Sequence, residues 1–417
     1  MLSVQDIRAN FPILGRKTAG RELIYFDNAA TSQKPERVVE FQSEMCRLHN
    51  ANVHRAVHTL SYEATEYYEK GRAAVQKFIN APSSEQIVFT SGATMAMNLV
   101  AACMQRGGFI GRGDIILVSE AEHHSNIVPW QLVCEATGAR LEVIPVREGP
   151  GTAGDGAFDM EAYRRALRPA VKMVAVTHVS NILGVINPVK EIVRQAHALG
   201  IPVLIDGAQG IVHCPVDVQE LDCDFYAFSG HKIYGPTGIG ALYGKREWLE
   251  KLPPFMGGGD MVAKVTFAKT TYADLPLKFE AGTSNFIGGA CLAPALEFAS
   301  MLRSDAAVAA HERRLMEEME RTLASIDGVR VAAGAAAAAD KVPLWSFTID
   351  GVHPLDAAML LDKMGVALRS GHMCAEPIVD RIAGGSMLRA SLMPYNTVEE
   401  VEAFGRSLER CIGILKK

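Results

Sequence analysis

No stretch of this sequence concentrates positive charge: 42 Lys and Arg stand against 47 Asp and Glu, for a formal net charge of −5. A nucleic-acid-binding chain would carry a basic footprint, and none is visible. No uninterrupted apolar run approaches the roughly 18 residues that mark a membrane-spanning helix, so no membrane partner is expected. The opening residues, Met1-Leu2-Ser3-Val4-Gln5-Asp6, lack the basic start and apolar core of a secretion signal, and a cytoplasmic location is the expectation. The eight cysteines include no C-x-x-C pair, which argues against a metal or iron–sulfur cluster held by a local motif. Most of them read as small buried hydrophobes. What remains is ordinary globular usage, 48% hydrophobic and 21% charged, enough for a sizeable core. At about 150 residues per domain, the length suggests about two or three domains.

Between residues 86 and 228, short apolar runs at 86–89, 114–118, 141–145, 171–176, 201–205 and 225–228 alternate with helical stretches. That alternation predicts an α/β fold with a mostly parallel sheet covered on both faces. Ligands of such sheets gather at the carboxyl ends of the strands. Polar clusters at 90–94, 122–124, 177–181, 206–209 and 229–232 fall at those ends. Residues 149–156 read as a loose connector. Beyond residue 290 the pattern changes to a long helix over 293–326 and strands at 328–331, 344–349, 366–369 and 388–392. A surface loop, or at most a turn of helix, is expected over the alanine-rich 332–339, and Thr397 with Glu400 forms a capping box for the last helix. The predicted division is a large domain, 26–290, and a smaller α+β domain made of 1–25 and 291–417.

Ser229-Gly230-His231-Lys232 follows one apolar run and precedes a glycine-rich turn at 235–240. An amine placed there can form a Schiff base with a carbonyl. Asp206-Gly207-Ala208-Gln209 closes the preceding strand. A lysine and a strand-end carboxylate are what pyridoxal phosphate (PLP) needs, an aldehyde anchor and a partner for the pyridinium nitrogen. Gln209 could donate to the phenolic oxygen. Ser91-Gly92-Ala93-Thr94 offers backbone N–H groups, a hydroxyl and a helix N-terminus to a phosphate, with an ordinary N-cap as the alternative. Ser229 and His231 are further phosphate donors. His123 could lie flat on a cofactor ring, whereas His124 reads as packing or solvent. Arg389 suits bidentate binding of an amino-acid carboxylate or an ion pair, and Asn181 could add a second carboxylate contact. Cys374 sits in a loop that its Gly-His and Pro neighbours mark as exposed and mobile. Arg369 and His372 could favour its thiolate over the free thiol, whose pKa is about 8.5.

These motifs, with Ala51-Asn52-Val53-His54-Arg55, Glu122-His123-His124, Asn126-Ile127-Val128-Pro129-Trp130-Gln131 and Arg369 through Ala375, together resemble a Suf-type (group II) cysteine desulfurase. That is a PLP enzyme of fold type I in the class V aminotransferase superfamily. The resemblance implies a mostly parallel seven-stranded sheet in the large domain and PLP attached at Lys232. It implies His123 stacked on the ring, Asp206 and Gln209 at its polar atoms, and Ala93, Thr94, Ser229 and His231 around the phosphate. Thr283 would reach the cofactor of a neighbouring subunit, making a homodimer. Asn181, Arg369, Arg389, His54 and Arg55 would serve the substrate. Cys374 would take sulfur from L-cysteine as a persulfide, leaving L-alanine, for iron–sulfur cluster assembly or another acceptor protein. Several positions depart from the family pattern: Ala93 for Thr, Met95 for an acid, Ser284 for Pro, Ser370 for Thr and Met373 for His. The changes at 370 and 373 flank the thiol, which leaves a selenocysteine lyase acting on L-selenocysteine as the alternative.

Overall fold

The computed structural model describes residues 2–147 and 154–416. Seven strands form the main sheet: β1 Ile87–Thr90, β2 Ile115–Ser119, β3 Arg140–Ile144, β4 Val171–Thr177, β5 Val203–Asp206, β6 Phe225–Ser229 and β7 Gly240–Gly244. Their order across the sheet is β1-β7-β6-β5-β4-β2-β3. All but edge strand β3 are almost wholly buried, as a sheet with helices on both faces requires. Neighbours from β6 to β3 are parallel. Strand β7 is antiparallel to both β1 and β6, because the turn after Lys232 is too short for a parallel crossover.

That insertion builds the site. Gly240 pairs with Thr90 on one side and Ser229 on the other, so the Ser91–Thr94 and Ser229–Lys232 segments leave the sheet side by side. A Cβ at Gly240 would lie 2.4 Å from the Phe228 carbonyl oxygen and 2.6 Å from Gly92 Cα. Only glycine permits this approach.

The expected helix over 293–326 is two helices, Phe286–Ser304 and Ala306–Ser325. Asp305 separates them and accepts a hydrogen bond from the Ala307 N–H, so a cap ends what periodicity alone runs together. Helix Phe286–Ser304 is also long and apolar enough to cross a membrane by length and composition, although Glu297 interrupts its apolar run. Over half of it, 56%, is buried in the protein, and its Cys291, Leu292, Leu296 and Phe298 join the core beneath the sheet. Residue 290 lies inside it. It packs so closely on helix Thr59–Phe78 that a Cβ on Gly71 would stand 2.0 Å from the Gly289 carbonyl oxygen. Near the N-terminus, Phe11 stacks among Tyr234, Phe298 and Tyr395.

A second sheet is fully antiparallel, in the order β8-β9-β11-β10, from β8 Val329–Val331, β9 Leu344–Ile349, β10 Arg369–Gly371 and β11 Met387–Ser391. The expected strand at 366–369 is divided: Val366–Ala367 pairs in parallel with Ile24–Tyr25, and the chain then enters β10. The alanine-rich stretch is only partly a surface loop, because Ala332 and Ala333 are buried against Ala375, Ile378 and Val379. The capping box of Thr397 and Glu400 is present. Of the expected connector at 149–156, residues 149–153 lie outside the described residues.

Arg72 and Glu280 form a buried ion pair, with Nη1–Oε1 at 2.6 Å and Nη2–Oε2 at 3.0 Å. Glu280 also accepts from the Phe89 N–H and the Tyr68 hydroxyl, tying a helix, β1 and the 280–285 loop together. Removing one partner leaves a buried charge unpaired. Arg72→Leu should lower the unfolding free energy by about 3–5 kcal/mol, measured by urea denaturation. A loss below about 1 kcal/mol would show that the pair is peripheral.

Candidate active site

A cavity of about 230 Å³ opens at the carboxyl ends of β1, β2, β4, β5 and β6 and is closed by Arg369, Arg389 and the Cys374 loop of the second sheet. Ala93, Thr94, His123, Asn181, Asp206, Gln209, Ser229, His231, Lys232, Arg369, Cys374 and Arg389 all line it. Three expected residues do not. Thr283 lies on an exposed loop, His54 has its Nε2 3.5 Å from Glu69, and Arg55 pairs with Asp260. Within one chain, then, the cavity is built without them.

One end of the cavity is a cradle of donors. The N-terminus of helix Ala93–Arg106 meets Ser229, whose Oγ accepts from the Ala93 N–H at 2.8 Å. Thr94 Oγ1 lies 2.7 Å from Ser125 Oγ. Met95 places its sulfur 3.3 Å from Ser91 Oγ. His231 is held neutral, its pKa lowered to about 4 by burial and the nearby Lys232 and Lys34 charges. Its carbonyl accepts from Lys34 Nζ at 2.8 Å, Thr31 Oγ1 at 3.0 Å and the Ser32 N–H at 3.2 Å. The peptide just before Lys232 is thereby fixed.

Deeper in, burial lowers the Lys232 amine to about 8, opposed by the Asp206 carboxylate. Burial raises Asp206 in turn, while the Ala208 N–H and Lys232 pull it back. His123 is kept neutral, at about 3, by burial first and then by the charges of Lys232 and Arg389. Gln209 Nε2 spends one proton on the Ala29 carbonyl at 2.8 Å, leaving the other for a ligand.

At the opposite end, Arg389 is buried and lowered to about 10 by that burial. It donates Nη1 to the Asn181 carbonyl at 3.0 Å, and among the described residues its Nε has no partner. Asp27 lies 2.8 Å from Arg369 and 3.4 Å from Arg389. Sequence reading missed Asp27, although it opens the polar turn Asp27-Asn28-Ala29-Ala30 that forms one wall. It also missed Ser125, whose signal was its place beside His123 and His124.

The Cys374 loop is exposed but not loose. Met373 and Cys374 have φ of 48° and 57°, a left-handed conformation that persists only where surroundings hold it. Asn181 Nδ2 donates to the Met373 carbonyl at 2.9 Å, the His124 N–H to the Cys374 carbonyl at 2.7 Å, and the Glu376 N–H to His124 Nε2 at 3.0 Å. The expectation of a mobile loop did not anticipate these tethers. His372 faces Asp380 at 3.3 Å, so Arg369 is the cation of the pair that lines the cavity with the thiol.

The chain matches the family described as aminotransferase class-V over residues 24–404. It belongs to that family. It is 45% identical to a probable cysteine desulfurase of Vibrio cholerae over 100% of both chains. It is 44% identical to a cysteine desulfurase of Dickeya dadantii, covering 98% of this chain and 96% of that one. The crystal structure of the Escherichia coli cysteine desulfurase CsdA superposes with a TM-score of 0.88 at 38% identity over 100% of both chains. Class V aminotransferases use PLP, and this cavity fits it. A primary amine, a buried carboxylate, and a helix N-terminus with hydroxyls supply the anchor, ring partner and phosphate cradle. The unpartnered Arg389 Nε marks the far end as made for a further acceptor.

Because only the neutral amine couples to an aldehyde, PLP uptake by this class V apoprotein should accelerate as pH rises through about 8. Stopped-flow absorbance between pH 6 and 10 reads this, and a midpoint near the free lysine value would contradict it. Asp206→Asn removes the group that raises the amine's pKa, so its midpoint should move lower.

Proposed function

We propose that this protein is a PLP-dependent cysteine desulfurase, converting L-cysteine to L-alanine with the sulfur retained as a persulfide on Cys374. The observation that carries this reading is an exposed thiol, held in a tethered loop, that lines the same cavity as Lys232 and Arg389. An ordinary aminotransferase has no use for a nucleophile there. The relatives named above, matched along the whole chain, support the same substrate.

Ala93, Thr94, Ser229 and His231 would hold the PLP phosphate, Lys232 its aldehyde carbon, and Asp206, Gln209 and the neutral His123 ring its polar atoms and face. Bound PLP supplies an electron sink at the substrate Cα. Arg389 would bind the substrate carboxylate, with Asn181 and Arg369 fixing its position and the charge around it. Asn181 acts through its carbonyl on Arg389 and its amide on the Cys374 loop. Lys232, poised near neutral pH, moves the proton at Cα. The Cys374 thiolate attacks the substrate sulfur. A sulfur–sulfur bond forms, the substrate's Cβ–S bond breaks, and the carbon fragment takes up a proton to become alanine's methyl group. The persulfide is then available to a sulfur-acceptor protein. The cysteines are all free thiols, in keeping with the reducing cytoplasm.

Thr283 of a second copy of the chain would reach the cofactor phosphate in this cavity, as a homodimer. The smaller unit is best drawn from about Asp305 onward, since helix Phe286–Ser304 shares the large core.

Cys374→Ala should abolish alanine release from L-cysteine while PLP absorbance is kept. Comparable turnover of L-cysteine by the variant would sink the proposal, and alanine from L-selenocysteine alone would establish the lyase. Arg389→Ala removes a charged hydrogen-bonding partner of the substrate, an effect of about 1.5–3 kcal/mol. Steady-state kinetics should show a KM for cysteine about 10- to 100-fold higher.

A further inference from the structure

We infer that His124 is a positioning residue that sets where the Cys374 thiol stands relative to the cofactor cavity. This rests on the reading that Cys374 is the nucleophile. His124 does not line the cavity, and sequence reading left it as packing or solvent. Its contacts are specific. The backbone N–H donates to the Cys374 carbonyl at 2.7 Å, and Nε2 lies 3.0 Å from the Glu376 nitrogen. A backbone N–H can only donate, so Nε2 is the acceptor in this contact. One residue therefore grips the turn on the residue bearing the thiol and two residues beyond it. The turn needs that grip, because Met373 and Cys374 both hold left-handed backbone.

The grip is anchored. Glu122 is buried at the end of β2, where it accepts from the Thr177 N–H at 2.8 Å and Asn126 Nδ2 at 2.7 Å. His123 Nδ1 accepts from the Ser125 N–H at 3.1 Å. In this fixed segment, His123 faces the cavity and the next residue faces the thiol loop. Consecutive residues thus tie the ring side of the site to the sulfur side, so the thiol's reach is inherited from the main sheet.

The test separates positioning from folding. His124→Phe keeps the ring volume and removes the acceptor, and His124→Gln restores an acceptor at the same reach. In the PLP-loaded enzyme, His124→Phe should keep PLP affinity and the KM for L-cysteine within about threefold. Its kcat for alanine should fall about tenfold or more, with faster amide exchange over residues 371–376. His124→Gln should recover kcat to within about threefold. An unchanged kcat in His124→Phe, equal impairment of both variants, or a loss that tracks lost PLP would overturn the inference. If His124→Phe does not fold, His124→Ala takes its place in the comparison. If the wild type releases no alanine, the desulfurase reading fails by itself. The exchange rates and the rate of Cys374 alkylation by iodoacetamide then decide whether His124 holds the loop.

Discussion

A lysine amine and a carboxylate share one enclosed cavity at the ends of neighbouring strands, and the rest of the site depends on that juxtaposition. Burial disfavours both charges, lowering Lys232 and raising Asp206, while each partly offsets the other. The result is an amine that titrates near neutral pH and a carboxylate with few other partners, the condition that a pyridine ring nitrogen and an aldehyde exploit. Strand β7 makes this possible. By running antiparallel between β1 and β6, it delivers the phosphate cradle and the lysine to the same end of the sheet.

The second sheet completes the site with charge of the other kind. Arg389 is buried with incomplete pairing, leaning on the Asn181 carbonyl and at longer range on Asp27. A buried guanidinium without a full set of acceptors is costly, and a carboxylate bound there would relieve that cost. Asn181 links this arginine to the Cys374 loop, and His124 links the same loop to the segment carrying His123. The thiol is exposed, and its loop is tethered where its left-handed backbone needs support. These features meet in a few residues around 373–376.

Much of this was legible in the sequence for a physical reason. Buried parallel strands read as short apolar runs, so their polar ends stand out, and those ends are where a doubly covered sheet places its ligands. Asp206, Lys232, His123 and Thr94 could be named that way. Asp27 could not, because its partners Arg369 and Arg389 lie more than three hundred residues away and nothing local marks the pairing. The break at Asp305 was hidden because helical periodicity continues across it, and Ala332 and Ala333 read as loop because alanine carries no burial signal of its own.

The sequence by itself determined the cofactor chemistry and the alternation of strands and helices as far as residue 228, since both rest on residue type and local spacing. Only the tertiary structure decided that the Cys374 loop is fixed, that His124 and Asn181 fix it, and that Thr283, His54 and Arg55 stay outside the cavity of their own chain. Those outcomes depend on hydrogen bonds and backbone angles between segments far apart in the chain, and residue spacing carries no record of them.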